Sequence, residues 1–209
     1  MTRQEIKAQA RAQLGGKIFG NYWMIALLVM LIIGALEAAA GSIIPGIGAI
    51  IITGPLAYGG CWMFLKQCRD GEKMNVGDVF CGFTTDFGQN FLIGLMTEIF
   101  TFLWGLLLII PGIVKSYAYS MAYFIKADNP DWGWRECISA SQELMRGHKW
   151  EKFVLDLSFL GWYIVGALLL GVGTLWVIPY HTAATAIFYE NLVTPQLSDG
   201  AQGDSWYQE

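Results

Sequence analysis

Apolar residues fall in long runs, broken by short polar segments. The first run is Tyr22 to Ala40, interrupted only by Glu37, and the second is Ile43 to Leu65, containing Pro45 and Pro55. The third is Phe91 to Ile110, containing Glu98. The fourth, Ile113 to Ile125, follows Pro111-Gly112 and contains Lys115. The fifth is Phe153 to Val172 with Asp156, and the sixth is Thr174 to Tyr189 with His181. A helix rising 1.5 Å per residue needs about 20 residues to cross the hydrocarbon core. Runs one, two, three and five meet that length, whereas four and six are short. The pattern predicts an all-α polytopic membrane protein with six transmembrane helices arranged as three repeated hairpins.

Between the runs the polar segments show helical spacing. Ile6, Ala10, Leu14 and Ile18 recur every four residues. Val76, Val79, Phe80, Phe83 and Phe87 follow a comparable stripe, and Trp134, Ile138, Leu144, Met145 and His148 a rougher one. Each hairpin is therefore expected to follow a cytoplasmic amphipathic helix, lying apolar face down in the headgroup layer as a collar that also packs on the bundle. Thr2 with Glu5 and Asn75 with Asp78 resemble capping boxes, and Asn129-Pro130-Asp131 offers a third helix start.

The units also match elsewhere. The outer turns are read as Ile44-Pro45-Gly46, Ile110-Pro111-Gly112 and Ile178-Pro179-Tyr180, and the exits as Phe64-Leu65-Lys66, Phe124-Ile125-Lys126 and Phe188-Tyr189-Glu190. This divides residues 1–193 into one membrane domain of three repeats, roughly 1–73, 74–128 and 129–193. The polar stretch 194–209 reads as a disordered cytoplasmic tail. Trp23, Trp62, Trp150, Tyr163 and Tyr189 are placed as interfacial anchors.

Composition supports lipid as the solvent. Of 209 residues, 55% are hydrophobic and 14% charged, against about 25% charged in an ordinary soluble domain. Twelve of the 13 Lys and Arg fall in three segments: before run one, after run two, and between runs four and five. The intervening connections carry no charge. Retention of basic residues on the cytoplasmic side then places both termini in the cytoplasm. A re-entrant hairpin that stops short of the far surface would leave the same charge pattern. Ala38-Ala39-Ala40 resembles a leader cleavage site, but about 20 mostly polar residues precede the run, so it is read as uncleaved.

A net charge of −4 argues against nucleic acid as a partner. Cys61, Cys68, Cys81 and Cys137 lack CxxC spacing and only two His are present, so no metal site and no cofactor are expected. No catalytic motif stands out, and the chain is not read as an enzyme.

Two sets of residues remain as functional candidates. Ionisable groups inside membrane helices are costly, which singles out Glu37, Glu98, Lys115 and His181 as a polar path, with His181 its pH-sensitive element. Glu98 and Lys115 lie at similar depth on consecutive helices and are expected to pair. Asp156, near the cytoplasmic face, is read as structural. Arg146, Lys149, Trp150 and Lys152 form the candidate site for anionic headgroups. The function expected is transport or permeation of a small solute or ion. The alternative is a non-transporting scaffold or accessory factor acting through lipid and partner contacts. The lipid bilayer is the one partner these residues specify, and a homo-oligomer is left open.

Three stretches resemble a known family: IPGIVKSYAYSMAYFIKADNPD (Ile110 to Asp131), SQELMRGHKWEKFVLDLSFLGW (Ser141 to Trp162) and LWVIPYHTAATAIFYENL (Leu175 to Leu192). They are similar to the bacterial membrane family called domain of unknown function 975. The resemblance implies location in the bacterial cytoplasmic (inner) membrane. It implies no activity and carries over no catalytic residue.

Overall fold

A computed structural model describes residues 2–16, 21–43, 48–71, 73–168 and 172–198. Among these residues all regular structure is helical. The order is α1 (Arg3–Gln13), α2 (Asn21–Ile43), α3 (Gly48–Asp70), a 3₁₀ turn (Val76–Phe80), α4 (Cys81–Thr84), α5 (Phe87–Leu107), α6 (Ile109–Tyr119), α7 (Ala122–Asp128), α8 (Trp134–Leu144), α9 (Lys149–Leu168) and α10 (Val172–Ser198). Among the described residues three stretches are long and apolar enough to cross a membrane: Tyr22–Ser42, Gly48–Asp70 and Phe87–Leu107, with mean hydropathies of 2.3, 1.4 and 1.6.

Helix α1 begins as predicted. Thr2 Oγ1 accepts from the Glu5 amide, and the Thr2 amide donates to Glu5 Oε2 at 2.8 Å, closing a capping box. Its stripe of Ile6, Ala10 and Leu14 is buried, while Ile18 lies outside the described residues. The stripe is covered by protein. Thr2, Arg3 and Ile6 lie by Trp150, Glu151 and Leu155, Lys7 donates to the Ser158 carbonyl at 2.9 Å, and Arg11 and Gly16 lie by Trp162. Helix α1 thus packs chiefly on α10 and follows α9 in the same direction.

The second amphipathic stretch is not one helix. The chain forms the 3₁₀ turn and the single turn α4, and restarts at Phe87 after Asp86 caps α5 by accepting from the Gln89 amide. Close packing on α3 explains the break. A Cβ on Gly59 would lie 1.9 Å from the Val79 carbonyl oxygen, so backbone touches backbone there. Phe80, Phe83, Phe87 and Phe91 stack in series, with ring centroids 6.1–6.5 Å apart.

The third amphipathic segment is α8, but it starts at Gly133, where Glu136 accepts from the Gly133 amide at 2.5 Å. Asn129 instead caps the C-terminus of α7. Run four is broken between α6 and α7. Buried Ser141 of α8 bridges the break, its hydroxyl accepting from the Met121 amide at 3.2 Å and donating to the Ala118 carbonyl at 2.8 Å. The backbone groups freed by the kink are thereby satisfied.

The predicted prolyl turns are also displaced. Pro111 lies in the first turn of α6, where a missing N–H costs nothing, and the chain reverses at Leu108 in extended conformation. Pro179 lies within α10. Ile44-Pro45-Gly46 falls outside the described residues. What the turns share is glycine. Gly41 and Gly48, Gly105 and Gly112, and Gly166 and Gly173 are each seven apart across a turn. A Cβ on Gly112 would meet Gly105 Cα at 2.7 Å, on Gly173 the Gly166 Cα at 2.6 Å, and on Gly48 the Ala40 carbonyl oxygen at 2.0 Å. Small residues let each pair cross tightly.

Helix α2 packs on α3, α5 on α6 and α9 on α10. The core lies along α3, α7 and α10, where Leu56, Phe64, Leu65, Ile125, Ala183, Ala184, Ala186 and Tyr189 are buried. The turn ends of the pairs are exposed and apolar, as at Leu106 to Ile110 and Leu168. Two predicted interfacial anchors, Trp23 and Tyr189, are buried in protein. The predicted tail begins later than expected, because α10 continues through Ser198; residues 199–209 lie outside the described set.

Candidate functional site

The four candidates for a polar path go to three places. Glu37 and Glu98 lie near one cavity of about 550 Å³ between α3 and α5, lined by Thr53, Gly54, Gly94, Thr97, Glu98, Tyr123 and apolar neighbours. The Thr53 hydroxyl reaches Glu37 Oε1 at 3.2 Å and also the Ala49 carbonyl at 2.8 Å. The Thr97 hydroxyl oxygen is buried without a hydrogen-bond partner. Glu98 itself is exposed on the cavity wall.

Lys115 does not pair with Glu98. Its ammonium donates to Gln142 Oε1 of α8 at 3.2 Å and lies 5.3 Å from the Trp104 ring centroid. Helix α8, whose place beside α6 has no signal in residue order, supplies a neutral partner. Aromatic faces supply the rest of the cation's environment.

His181 belongs to a third group. Its Nε2 is 2.8 Å from Asp156 Oδ1 and its Nδ1 3.3 Å from the Tyr163 hydroxyl, with the Phe159 ring against it at 4.9 Å. Lys152 also pairs with Asp156, one helical turn away. Asp156 is therefore the shared acceptor of a lysine and a histidine. Lys152 is only 4% exposed, so it does not serve as a headgroup contact. Of the other three headgroup candidates, Arg146 is exposed and pairs with Glu143 at 3.3 Å, Lys149 is half-buried, and Trp150 is exposed and stacks on Phe153 at 5.2 Å.

Two further polar clusters lie at the opposite ends of the helices from the turns. Lys126, at the end of run four, is fully buried. Its ammonium donates to Asp86 Oδ2 at 2.9 Å, the Pro130 carbonyl at 2.7 Å and the Trp132 carbonyl at 2.8 Å, which uses all three protons. Nearby, Arg69 of α3 holds Asp128 through two nitrogens at 2.5 and 2.9 Å and Glu190 of α10 at 2.5 Å. Tyr189 donates to Asp128 Oδ2 at 2.6 Å. This joins the C-terminal ends of α3 and α7 to the side of α10. Outside the candidate spans, burial pushes the Cys137 thiol up to about 12, which keeps it protonated and unreactive.

Spacing alone could have found Lys152 with Asp156, which are four apart on one helix. The Asp156–His181, Lys126–Asp86 and Arg69–Asp128 contacts join residues far apart in sequence and carry no local signal. No group of three or more metal-ligating side chains occurs among the described residues.

The fold and its apolar spans define an all-α membrane protein. The sequence matches the family described as protein of unknown function (DUF975) over residues 1–114 and 106–196. The chain belongs to that family. No curated protein and no solved structure matches it.

Proposed function

We propose that the protein is a multi-pass scaffold or accessory factor of the bacterial cytoplasmic membrane, acting through lipid and partner contacts and not by moving a solute. The observation that carries this reading is the dispersal of the polar candidates. Lys115 is engaged by Gln142 and His181 by Asp156, away from Glu98 and from each other, while the core along α3, α7 and α10 is filled with apolar side chains. A route for a hydrophilic solute needs convergent polar groups along its length.

Six crossings as three repeated hairpins, with both termini cytoplasmic, agree with the alternation of basic segments and with the recurring glycine pairs. A shallower arrangement, with each turn entering one leaflet, is favoured by α1, whose Arg3 and Arg11 accompany α9 as far as Trp162. Single cysteines at Ser42 and Leu108 in a cysteine-free background separate the two. Labelling by an impermeant maleimide on intact cells is expected for six crossings. Protection of both, before and after permeabilisation, fits the shallow form.

A second functional reading, permeation of a small solute or ion, is favoured by the cavity beside Glu98. Vesicles reconstituted with the protein test it. The scaffold reading expects ion and solute leakage equal to that of empty vesicles. Flux that appears with the wild type and vanishes in Glu98→Gln would reject it.

A further inference from the structure

The cavity between α3 and α5 opens beside a close crossing of two glycines. A Cβ on Gly94 of α5 would lie 3.2 Å from Gly54 Cα of α3 and 2.6 Å from the Tyr123 hydroxyl oxygen. That oxygen is therefore held over Gly94, where both residues line the cavity. Glu98 follows Gly94 by four residues, so it stands one turn further along the same face of α5. A phenol and a carboxylate thus border one space of about 550 Å³, the size of an ordinary small-molecule site.

Both groups are unengaged. Among the described residues Glu98 has no ion pair or hydrogen bond, and the Tyr123 hydroxyl has no hydrogen-bond partner. The Thr53 hydroxyl is already committed to the Ala49 carbonyl and Glu37, and the Thr97 hydroxyl oxygen is buried away from the space. No Lys, Arg or His lines the cavity. Glu98 lies within a candidate span, nine residues before the end of α5, or about 14 Å along the axis. An ionised carboxylate at such a depth asks for a countercharge. Lys115, which shares its depth, is turned away to Gln142.

The rest of the lining decides what kind of cation fits. Ile50, Ile99, Phe102 and Leu103 line the cavity and are exposed, so it opens sideways through apolar side chains. A bare metal ion needs a shell of about six to eight oxygens, and an aliphatic wall supplies none. A protonated amine needs only a few acceptors, and its hydrocarbon body matches the wall. We propose that this cavity binds a membrane-soluble amine: an ammonium group with at least one N–H, borne on an aryl or alkyl body. The ammonium pairs with the Glu98 carboxylate and donates to the Tyr123 oxygen, while the body lies against Ile50, Ile99 and Phe102. The site rests on the protein's membrane location and concerns binding alone. It holds whether or not a solute crosses the bilayer.

Isothermal titration calorimetry of the full chain in phosphatidylcholine nanodiscs tests it, with empty nanodiscs subtracted. The probes are 4-phenylbutylamine, its quaternary trimethylammonium form, 4-phenylbutanol and 4-phenylbutyrate. One 4-phenylbutylamine per chain is expected, at least tenfold tighter than the alcohol, with the carboxylate weaker still. Glu98→Gln keeps the size of the side chain and should bring the amine down to the affinity of the alcohol. Glu98→Asp should keep part of the preference. Tyr123→Phe should weaken the amine about threefold to tenfold and leave the quaternary ion unchanged, since that ion has no N–H to donate. Asp70→Asn, on an exposed carboxylate outside the cavity, should change nothing. Wild type binding the alcohol as tightly as the amine would overturn the proposal, as would equal amine binding by wild type and Glu98→Gln. Circular dichroism checks that Glu98→Gln folds; should it not, the amine-to-alcohol ratio of wild type decides alone. A nanodisc has no second compartment, so this result is separate from vesicle flux, by which the scaffold reading is judged.

Discussion

Helices α3 and α5 are nearly equal in length and both are apolar enough to cross a membrane, yet they occupy opposite environments. Over their most apolar windows, 56% of α3 is buried inside the protein and 11% of α5. The difference does not follow hydropathy, since α5 is the more apolar of the two and more exposed. It follows side-chain size. Helix α3 carries Gly54 and Gly59 where α5 and the 3₁₀ turn press against its backbone, whereas the outer half of α5 presents Phe102, Leu103, Leu106 and Leu107 outward. In lipid, apolar surface gains little by leaving the solvent, so close backbone approach and polar contacts decide which helix becomes central.

The largest expected effect is at the non-turn ends, where that central position is fixed by charge. Lys126→Met removes a fully buried ammonium and strands Asp86 and two carbonyls. Each buried acceptor left without a partner costs about 1–3 kcal/mol, and Asp86, 36% exposed, is partly rehydrated. The variant is expected to lose its folded population in detergent, measured by thermal unfolding with circular dichroism. An unchanged midpoint would show that the contact does not hold α7 against the segment before α5.

A smaller effect separates the two helices directly. Gly59→Ala places a Cβ 1.9 Å from the Val79 carbonyl oxygen and must push the 3₁₀ turn off α3. Overpacking of this kind costs about 1–3 kcal/mol. Gly105→Ala on α5 meets nothing within 4 Å. It should be neutral or stabilising by about 0.5–1 kcal/mol, the usual gain of replacing glycine within a helix. Equal midpoints for the two variants would erase the contrast between a central α3 and a peripheral α5.

The smallest effect concerns α1. Burial, and then Arg3 and Arg11, lower the pKa of Lys7 from its usual 10.5. A base depressed in the fold contributes stability that is present above the unfolded pKa and is lost as pH falls through the folded value. Wild type should therefore become slightly more stable toward pH 10.5, and Lys7→Gln should flatten that rise in a series of thermal midpoints. A wild-type slope retained in the variant would assign it to another group.

Much of the helical content was legible from runs of apolar residues. Run one begins at Tyr22 and α2 at Asn21; run three begins at Phe91 and α5 at Phe87. The capping box of Thr2 and Glu5 was equally plain, because its parts are three residues apart. The second amphipathic stretch was misread because Val76 to Phe87 keeps helical spacing through a break imposed by α3. The Glu98–Lys115 pair was misread for a related reason. Depth along a helix gives one coordinate of a side chain, while its partner depends on rotation about the axis and on which neighbour faces it. Lys115 lies at a depth near Glu98 but faces Gln142.

Local residue pattern establishes that the chain is helical and apolar over long stretches, because hydropathy and hydrogen-bond satisfaction within a helix are local. It also determined the grouping of the basic residues, which follows from residue order alone. That Asp156 meets His181, that Lys126 is enclosed, and that Arg11 lines one cavity with three tryptophans from three other helices becomes visible in three dimensions alone. Those contacts depend on how helices rotate and cross, and that is set by backbone packing between segments far apart in the chain.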